Sequence, residues 1–290
     1  MLRHSLLRRS IGSIRQSSSR VRVSIDADGI AEVVLHRPEK LNALDLPMFE
    51  AIRDAAQQLQ TNDSVRVVIL RGEGRAFCAG LDVKSIFSTL PPPIDRLMEP
   101  YSTTHSSLLR NLAQDPALRW RELPFPVLCC VHGACFGGGL QIALGADLRL
   151  ATPDAQLSVM EVKWGLIPDM TASVTLRELV SIDVAKELTW TGRIVSGEEA
   201  QKLGLVTRVV DDPVEEARKV ANEIVEKSPD AIARAKELFH ETWSSASVDE
   251  CFETERKLQT KLLVRWNQLA ASGRNFGLPL PYTAASKDKK

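Results

Sequence analysis

Apolar and polar positions along this chain follow two periods. Val21 to Ile25 and Ala31 to His36 read as strands around the turn-rich Asp26-Ala27-Asp28-Gly29, which predicts a hairpin. From Asp45 the period lengthens. Met48, Ile52, Ala55 and Leu59 share a helical face, Asp45 is placed to cap it, and Pro47 lies in its first turn. Val65 to Arg71 and Pro126 to Val131 are apolar strand-like runs, each passing into a glycine-bearing loop. Leu90-Pro91-Pro92-Pro93 breaks the chain, and a polar helical region is expected from about Ile94 to Leu112. Farther on, Ser196-Gly197-Glu198-Glu199 has the form of a capping box, with Gly204 as the stop. Ser228 and Pro229 open a helix whose Ile232, Ala235, Leu238 and Thr242 share one face. A long helix is expected from Val248 to about Ala271, with Phe252, Leu258, Leu262, Trp266 and Leu269 apolar. The pattern is α/β, strand-rich early and helical late, with no internal repeat and no second core.

The glycines concentrate where chemistry is most legible. Val131-His132-Gly133-Ala134-Cys135-Phe136-Gly137-Gly138-Gly139-Leu140-Gln141 takes an apolar strand through a glycine cluster into an amphipathic segment. Glycines there let a ligand approach the backbone, and amides at a helix start carry positive dipole character that suits an anion or developing oxyanion. A second donor loop, Gly74-Arg75-Ala76-Phe77-Cys78-Ala79-Gly80-Leu81-Asp82, follows the earlier strand. Together they look like two halves of an oxyanion hole. Tight packing is the plain alternative. A phosphate loop needs Lys and Ser or Thr after the last glycine, where Leu140-Gln141 stands, and the dinucleotide fingerprint needs a different glycine spacing.

Composition narrows the class further. A chain of 290 residues folding as one domain buries roughly three-quarters of its unfolded surface. Lys plus Arg and Asp plus Glu balance at 37 each, against the basic face of a nucleic-acid binder. No run approaches the roughly 20 apolar residues of a membrane span. Cys78, Cys129, Cys130, Cys135 and Cys251 are odd in number and lack metal-ligand spacing, so free thiols in a reducing compartment are expected and no metal is. Residues 1–20 differ in kind. Arg3, Arg8, Arg9, Arg15 and Arg20 alternate with apolar residues and serines, and the first acid is Asp26. That is the composition of a mitochondrial transit peptide, with a basic arm as the plain alternative. It places the expected boundaries at 1–20 for the leader, 21–210 for the core, 211–276 for the late helices and 277–290 for a tail.

The chain resembles the crotonase, or enoyl-CoA hydratase/isomerase, superfamily from Val21 to about Phe276. The resemblance rests on Leu35-His36-Arg37-Pro38-Glu39-Lys40-Leu41-Asn42-Ala43-Leu44, Phe77 to Asp82, Gly137 to Gly139, Asp147-Leu148-Arg149-Leu150-Ala151, Glu161 to Pro168, and Thr191-Gly192-Arg193 through Gly204-Leu205-Val206, in family order. It implies a crotonase-like spiral of ββα units with a C-terminal helical trimerisation region, assembled as a trimer or a dimer of trimers. It also implies an acyl-CoA thioester substrate, with coenzyme A arriving as part of that substrate and no separate cofactor. The thioester oxygen is then expected between the N–H groups of Leu81 and Gly138, or neighbouring Gly139. Ala43, Cys78, Ala79, Gly80, Asp82, Gln141, Trp164 and Leu166 are expected to bind substrate around it.

Which acids face the thioester decides the reaction. In the family's hydratases the positions of Gln141 and Glu161 both carry Glu, so this chain keeps one of the two. In its dienoyl-CoA isomerases an Asp stands at the position of Asp169, with a Gly-Leu pair between it and the Glu, as Gly165-Leu166 is here. Those isomerases typically have Asp at the position of Gln141, and a neutral amide cannot act as a base. The resemblance therefore implies a mitochondrial-matrix acyl-CoA isomerase of β-oxidation with Glu161 and Asp169 as catalytic acids. A one-base isomerase on Glu161 alone fits the same inventory. An enoyl-CoA hydratase is the alternative, and a binding or structural subunit is the third. That third reading follows the family's RNA-binding member, whose added helix is Lys-rich, whereas Asp45 to Gln60 holds no Lys. Two plain roles stay open: Glu161 as an ion-pair partner of Lys163 or Arg193, and Asp169 as the cap of a helix starting near Thr171.

Overall fold

The computed structural model describes residues 16–17, 19–103 and 106–286. The leader expected over residues 1–20 falls largely outside the described residues, as do positions 287–290 of the tail. Arg20 is within them: its backbone oxygen accepts from His36 N, and its guanidinium bonds Asp45.

The strands are β1 (Gln16–Ser17), β2 (Val21–Ile25), β3 (Ile30–Leu35), β4 (Val67–Gly72), β5 (Tyr101–Thr103), β6 (Ser106–Arg110), β7 (Val127–Val131), β8 (Ala134–Phe136), β9 (Leu148–Ala151), β10 (Gln156–Ser158), β11 (Val195–Ser196) and β12 (Arg208–Val209). The helices are α1 (Leu46–Thr61), α2 (Val83–Phe87), α3 (Ile94–Met98), α4 (Asp115–Glu122), α5 (Gly138–Leu144), α6 (Ala172–Leu179), α7 (Ile182–Thr191), α8 (Gly197–Leu203), α9 (Pro213–Val225), α10 (Pro229–Thr242), α11 (Val248–Leu262) and α12 (Trp266–Asn275).

One seven-stranded sheet runs β1-β2-β3-β4-β7-β9-β12, antiparallel at the first hairpin and parallel from β3 onward. A second, small sheet joins β8, β10 and β11. Each pass of the chain lays a long strand in the large sheet, steps to a short strand or bridge, and returns through a helix, the ββα spiral. The short steps after β3 and β4 are single bridges, Leu44 to Leu81 and Cys78 to Cys135.

Period-two alternation explains the unbroken apolar runs of β4 and β7. Val68, Leu70, Cys129 and Val131 face the main core with α1 and α5, while Val67, Ile69, Leu128 and Cys130 face α9 through Ala217 and Ala221. Both faces are buried, as in parallel sheets covered by helices on each side. The first of the late helices, α9, therefore packs directly on the large sheet, on the face opposite α1 and α5.

Three expectations need correction. The helical region expected from Ile94 to Leu112 is helical only over α3. Pro100 disfavours helix at the residue before it, and the chain turns into the β5–β6 hairpin. The long helix expected from Val248 to Ala271 is broken between α11 and α12, where Val264 takes φ +61°. The break lets buried Asn267 turn to Asp230 at the start of α10, Nδ2 to Oδ2 at 2.8 Å. The capping box at Ser196 is half made: Ser196 Oγ accepts from Glu199 N, but the Glu199 carboxylate accepts from Arg193 instead. A complete box stands at Ser247 and Glu250, at the start of α11.

Candidate active site

Two backbone segments meet at the end of β4 and β7. Gly80 has φ +86° and Gly137 φ +51°, conformations that favour glycine. A Cβ on Gly80 would lie 2.7 Å from Phe136 O and 3.6 Å from Gly138 N, so the two glycine loops are in direct apposition. Gly138 opens α5, and its N–H has no partner within that helix. The Leu44–Leu81 bridge uses Leu44 N to Gly80 O and Asp82 N to Leu44 O, which turns the Leu81 N–H away from that bridge. Among the described residues neither the Leu81 nor the Gly138 N–H meets a backbone hydrogen-bond acceptor.

Buried side chains hold this apposition. Asn42, fully buried, donates from Nδ2 to the carbonyls of Glu73, Ala76 and Phe77 and accepts from Arg37 N. Arg37 pairs with Asp82 at 2.8 Å and donates to Ala43 O. The Asp82 side chain also caps α2 through Ser85 N. Cys78 Sγ is buried against Asn42 O, and burial pushes its thiol up to about 12. The scaffold role of Asn42 and Arg37 depends on contacts distant in sequence, and its one local mark is the polar Asn inside the otherwise apolar Leu41-Asn42-Ala43-Leu44.

A cavity of about 400 Å³ opens beside the two amides. Of the expected site residues, Ala79, Gly80, Leu81, Gly138, Glu161, Trp164, Leu166 and Asp169 line it. Ala43, Cys78, Asp82, Gly139 and Gln141 are not part of that lining. Gly139 packs so closely on Cys78 that a Cβ would lie 2.4 Å from its carbonyl oxygen. The remaining wall is apolar: Phe49, Ile86, Leu97 and Met170 are buried, and Phe87, Ile94 and Met98 are partly exposed. Glu161 and Asp169 are the ionisable side chains of this lining.

Glu161 sits in a single 3-10 turn, Glu161–Trp164, ended by Gly165 in the left-handed region. Its Oε1 accepts from Gln141 Nε2 at 2.5 Å and its buried Oε2 has no partner among the described residues. Burial pushes its carboxyl above the ordinary range; the Gln141 hydrogen bond pulls the other way and the Asp169 charge adds to the rise. The ion-pair alternative is overturned, since Arg193 pairs with Glu187 and Glu199 and Glu161 is buried. Asp169 is half-buried, and burial raises its carboxyl too. It does not cap α6. That helix begins after Thr171, which makes no side-chain cap, and the amides of Met170 and Ala172 donate instead to Gln141 Oε1 at 2.7 and 3.2 Å.

Two backbone amides without acceptors among the described residues thus stand beside one buried and one half-buried carboxylate in an apolar cavity, an arrangement chemically able to stabilise an oxyanion while a proton moves. The class of protein is set by the ββα spiral. The profile of the enoyl-CoA hydratase/isomerase family matches residues 26–268, and the chain belongs to that family. It is 35% identical over 214 residues to the "Probable enoyl-CoA hydratase" of Bacillus subtilis (strain 168), covering 73% of this chain and 78% of that one. It is 33% identical over 235 residues to the human mitochondrial enoyl-CoA hydratase domain-containing protein 2, covering 78% and 76%. The mitochondrial Delta(3,5)-Delta(2,4)-dienoyl-CoA isomerase of Dictyostelium discoideum is 28% identical over 228 residues, covering 78% and 77%. The crystal structure of enoyl-CoA hydratase from Mycobacterium smegmatis superposes with TM-score 0.76 at 28% identity over 92% of this chain and 99% of that one. The crotonase fold and an acyl-CoA-handling enzyme family are thereby established. Among the described residues no helix is long and apolar enough to cross a membrane, and no group of His, Cys, Asp and Glu side chains forms a metal cluster.

Proposed function

We propose that this protein is an acyl-CoA isomerase that shifts double bonds of 3,5-dienoyl- or 3-enoyl-CoA. The observation that carries the reading is the acid inventory of the cavity: Glu161 and Asp169 line it, and an amide occupies the position of a second hydratase Glu. The Leu81 and Gly138 amides would receive the thioester oxygen as negative charge develops on it. In a 3-enoyl substrate, Glu161 takes a proton from C2 and returns it to C4, so the double bond moves from C3–C4 to C2–C3. In a 3,5-dienoyl substrate, one carboxylate takes the C2 proton and the other supplies a proton at C6, giving the 2,4-dienoyl product. Burial raises both carboxyls above the ordinary carboxylate range, the direction that favours proton uptake by a carboxylate acting as a carrier. The substrate carries its own coenzyme A and no further cofactor enters the scheme.

The hydratase alternative is favoured by the names of several relatives and needs Glu161 to activate water. The two readings separate on incubating the purified protein with 2-enoyl-, 3-enoyl- and 3,5-dienoyl-CoA and identifying the products. Slow hydration beside fast isomerisation supports the isomerase; fast hydration overturns it. The Arg- and Ser-rich residues 1–20 and relatives named as mitochondrial support a matrix location, tested by import into isolated mitochondria. Exposed Trp164, Ile167, Ile182 and Trp190 support assembly into a trimer or a dimer of trimers, tested by light scattering.

A further inference from the structure

We infer that Gln141 is a positioning residue, a neutral strut whose one amide sets the spacing of the Glu161 and Asp169 carboxylates relative to the oxyanion amides. The inference rests on the isomerase reading for the roles of the two acids, and on geometry for the strut itself. Gln141 is almost fully buried, on α5, one turn after Gly138. Residues three apart share a helix face, so its side chain leaves α5 on the face that carries Gly138 at the helix start. Its Oε1 accepts from the amides of Met170 and Ala172, and Met170 is the neighbour of Asp169. Those two N–H donors fix which end of the amide carries oxygen. The Nε2 end must then donate, and it donates to Glu161 Oε1.

Three elements are thereby joined through one side chain: α5 with its oxyanion donor, the turn bearing Glu161, and the start of α6 beside Asp169. A glutamate here would keep an acceptor for the two backbone amides, but its second oxygen would meet Glu161 Oε1 at 2.5 Å. Two carboxylates at that separation share a proton. The amide prevents this: it occupies one oxygen of Glu161 as a donor and offers no free acceptor with which to hold a water between two acids. What remains at this end of the site is one carboxylate, Glu161, whose Oε2 has no protein partner among the described residues and can carry the proton. The Gln141 bond also lowers the Glu161 carboxyl against the upward push of burial, so its removal has a measurable sign.

The test compares Gln141→Met and Gln141→Glu with wild type, using purified full-length protein. Kinetics with 3-enoyl-, 3,5-dienoyl- and crotonyl-CoA are measured across pH, with melting curves as the control for folding. For Gln141→Met, the expected result is unchanged KM and a fall in kcat of about tenfold or more. The 3,5-dienoyl reaction should lose more than the 3-enoyl one, and the acid limb of kcat/KM should move to higher pH. Gln141→Glu keeps an acceptor for the amides of Met170 and Ala172 and should move the acid limb further up and raise crotonyl-CoA hydration relative to isomerisation. A folded Gln141→Met protein with an unmoved acid limb overturns the strut, as does equal loss on both isomerisations. The limb is read in whichever reaction wild type runs. A wild type that hydrates but does not isomerise would therefore refute the isomerase reading, and the shift of its limb would still judge Gln141.

Discussion

Glu161→Gln is the sharpest perturbation of the proposed chemistry because it keeps the shape of the side chain and removes its proton-carrying charge. Gln141 Nε2 would still find an acceptor in the new side-chain carbonyl, so the turn at Glu161–Trp164 is expected to stay in place. A placed carboxylate is worth about 10²–10⁴ in rate, or about 3–5 kcal/mol of activation free energy. The expected loss falls in kcat, while acyl-CoA binding, which rests on backbone amides and apolar walls, is retained. Stability should move the opposite way. Burial raises the folded-state carboxyl above its ordinary value. Its stabilising contribution is thus complete below the unfolded pKa and is lost as pH rises through the folded one. Near neutral pH the wild type bears the cost of a buried charge that the amide variant lacks. Glu161→Gln should therefore melt higher than wild type at neutral pH, with the difference vanishing below the ordinary carboxylate range. The same raised carboxyl predicts that wild-type kcat/KM rises with pH along a limb above that range, since the base must be ionised. Initial rates with 3-enoyl-CoA, calorimetric binding of a saturated acyl-CoA and melting curves at two pH values suffice. A folded variant with kcat within about threefold of wild type would remove Glu161 from the chemistry, and a lower neutral-pH melting temperature would refute the buried-charge argument.

A Cβ on Gly138 would lie 2.7 Å from Met170 Sδ and 2.9 Å from Leu44 Cδ1. Gly138→Val should therefore crowd the oxyanion site and forfeit about 3–4 kcal/mol of transition-state stabilisation, and near-normal turnover in the folded variant would sink the site assignment. Asp169→Asn should slow the 3,5-dienoyl reaction more than 3-enoyl isomerisation, and small equal effects in product assays would leave Asp169 outside the chemistry. Lys236→Met should cost about 1–3 kcal/mol by denaturant unfolding, because Lys236 donates to Asp147 at 2.7 Å and to the carbonyls of Trp120 and Phe125, pinning α10 to the core. An unchanged unfolding midpoint would show that these bonds contribute nothing to docking α10.

The parts of the fold legible in the sequence are those where one local signal suffices. Asp45 and Pro47 announce α1, and the structure shows the Asp45 carboxylate accepting from Met48 N. The apolar runs of β4 and β7 announce buried parallel strands. The region from Ile94 to Leu112 was not legible, because a short helix followed by a hairpin has no run long enough to set a period. The break at Val264 was hidden for a different reason. Apolar spacing continues across it, and the partners that hold Asn267 after the break, Asp230 and Thr283, lie 37 residues before Asn267 and 16 after it in the chain.

The site divides along the same physical line. Oxyanion donors are backbone amides, and backbone amides become available only where glycine or a helix start exposes them, so their positions are written in a glycine pattern that any reader of the chain meets. Side-chain acids carry no such mark. Glu161 could have been a surface ion-pair partner and Asp169 a helix cap, and each alternative was sound in local terms. What decides between them is Gln141, 20 residues from Glu161 and 29 from Met170 in the chain. By donating to the first and accepting beside Asp169, it takes over the capping of α6 and frees Asp169 to face the cavity. The substitution that looked like a missing acid in the sequence is, in the fold, the bond that aligns the acids present.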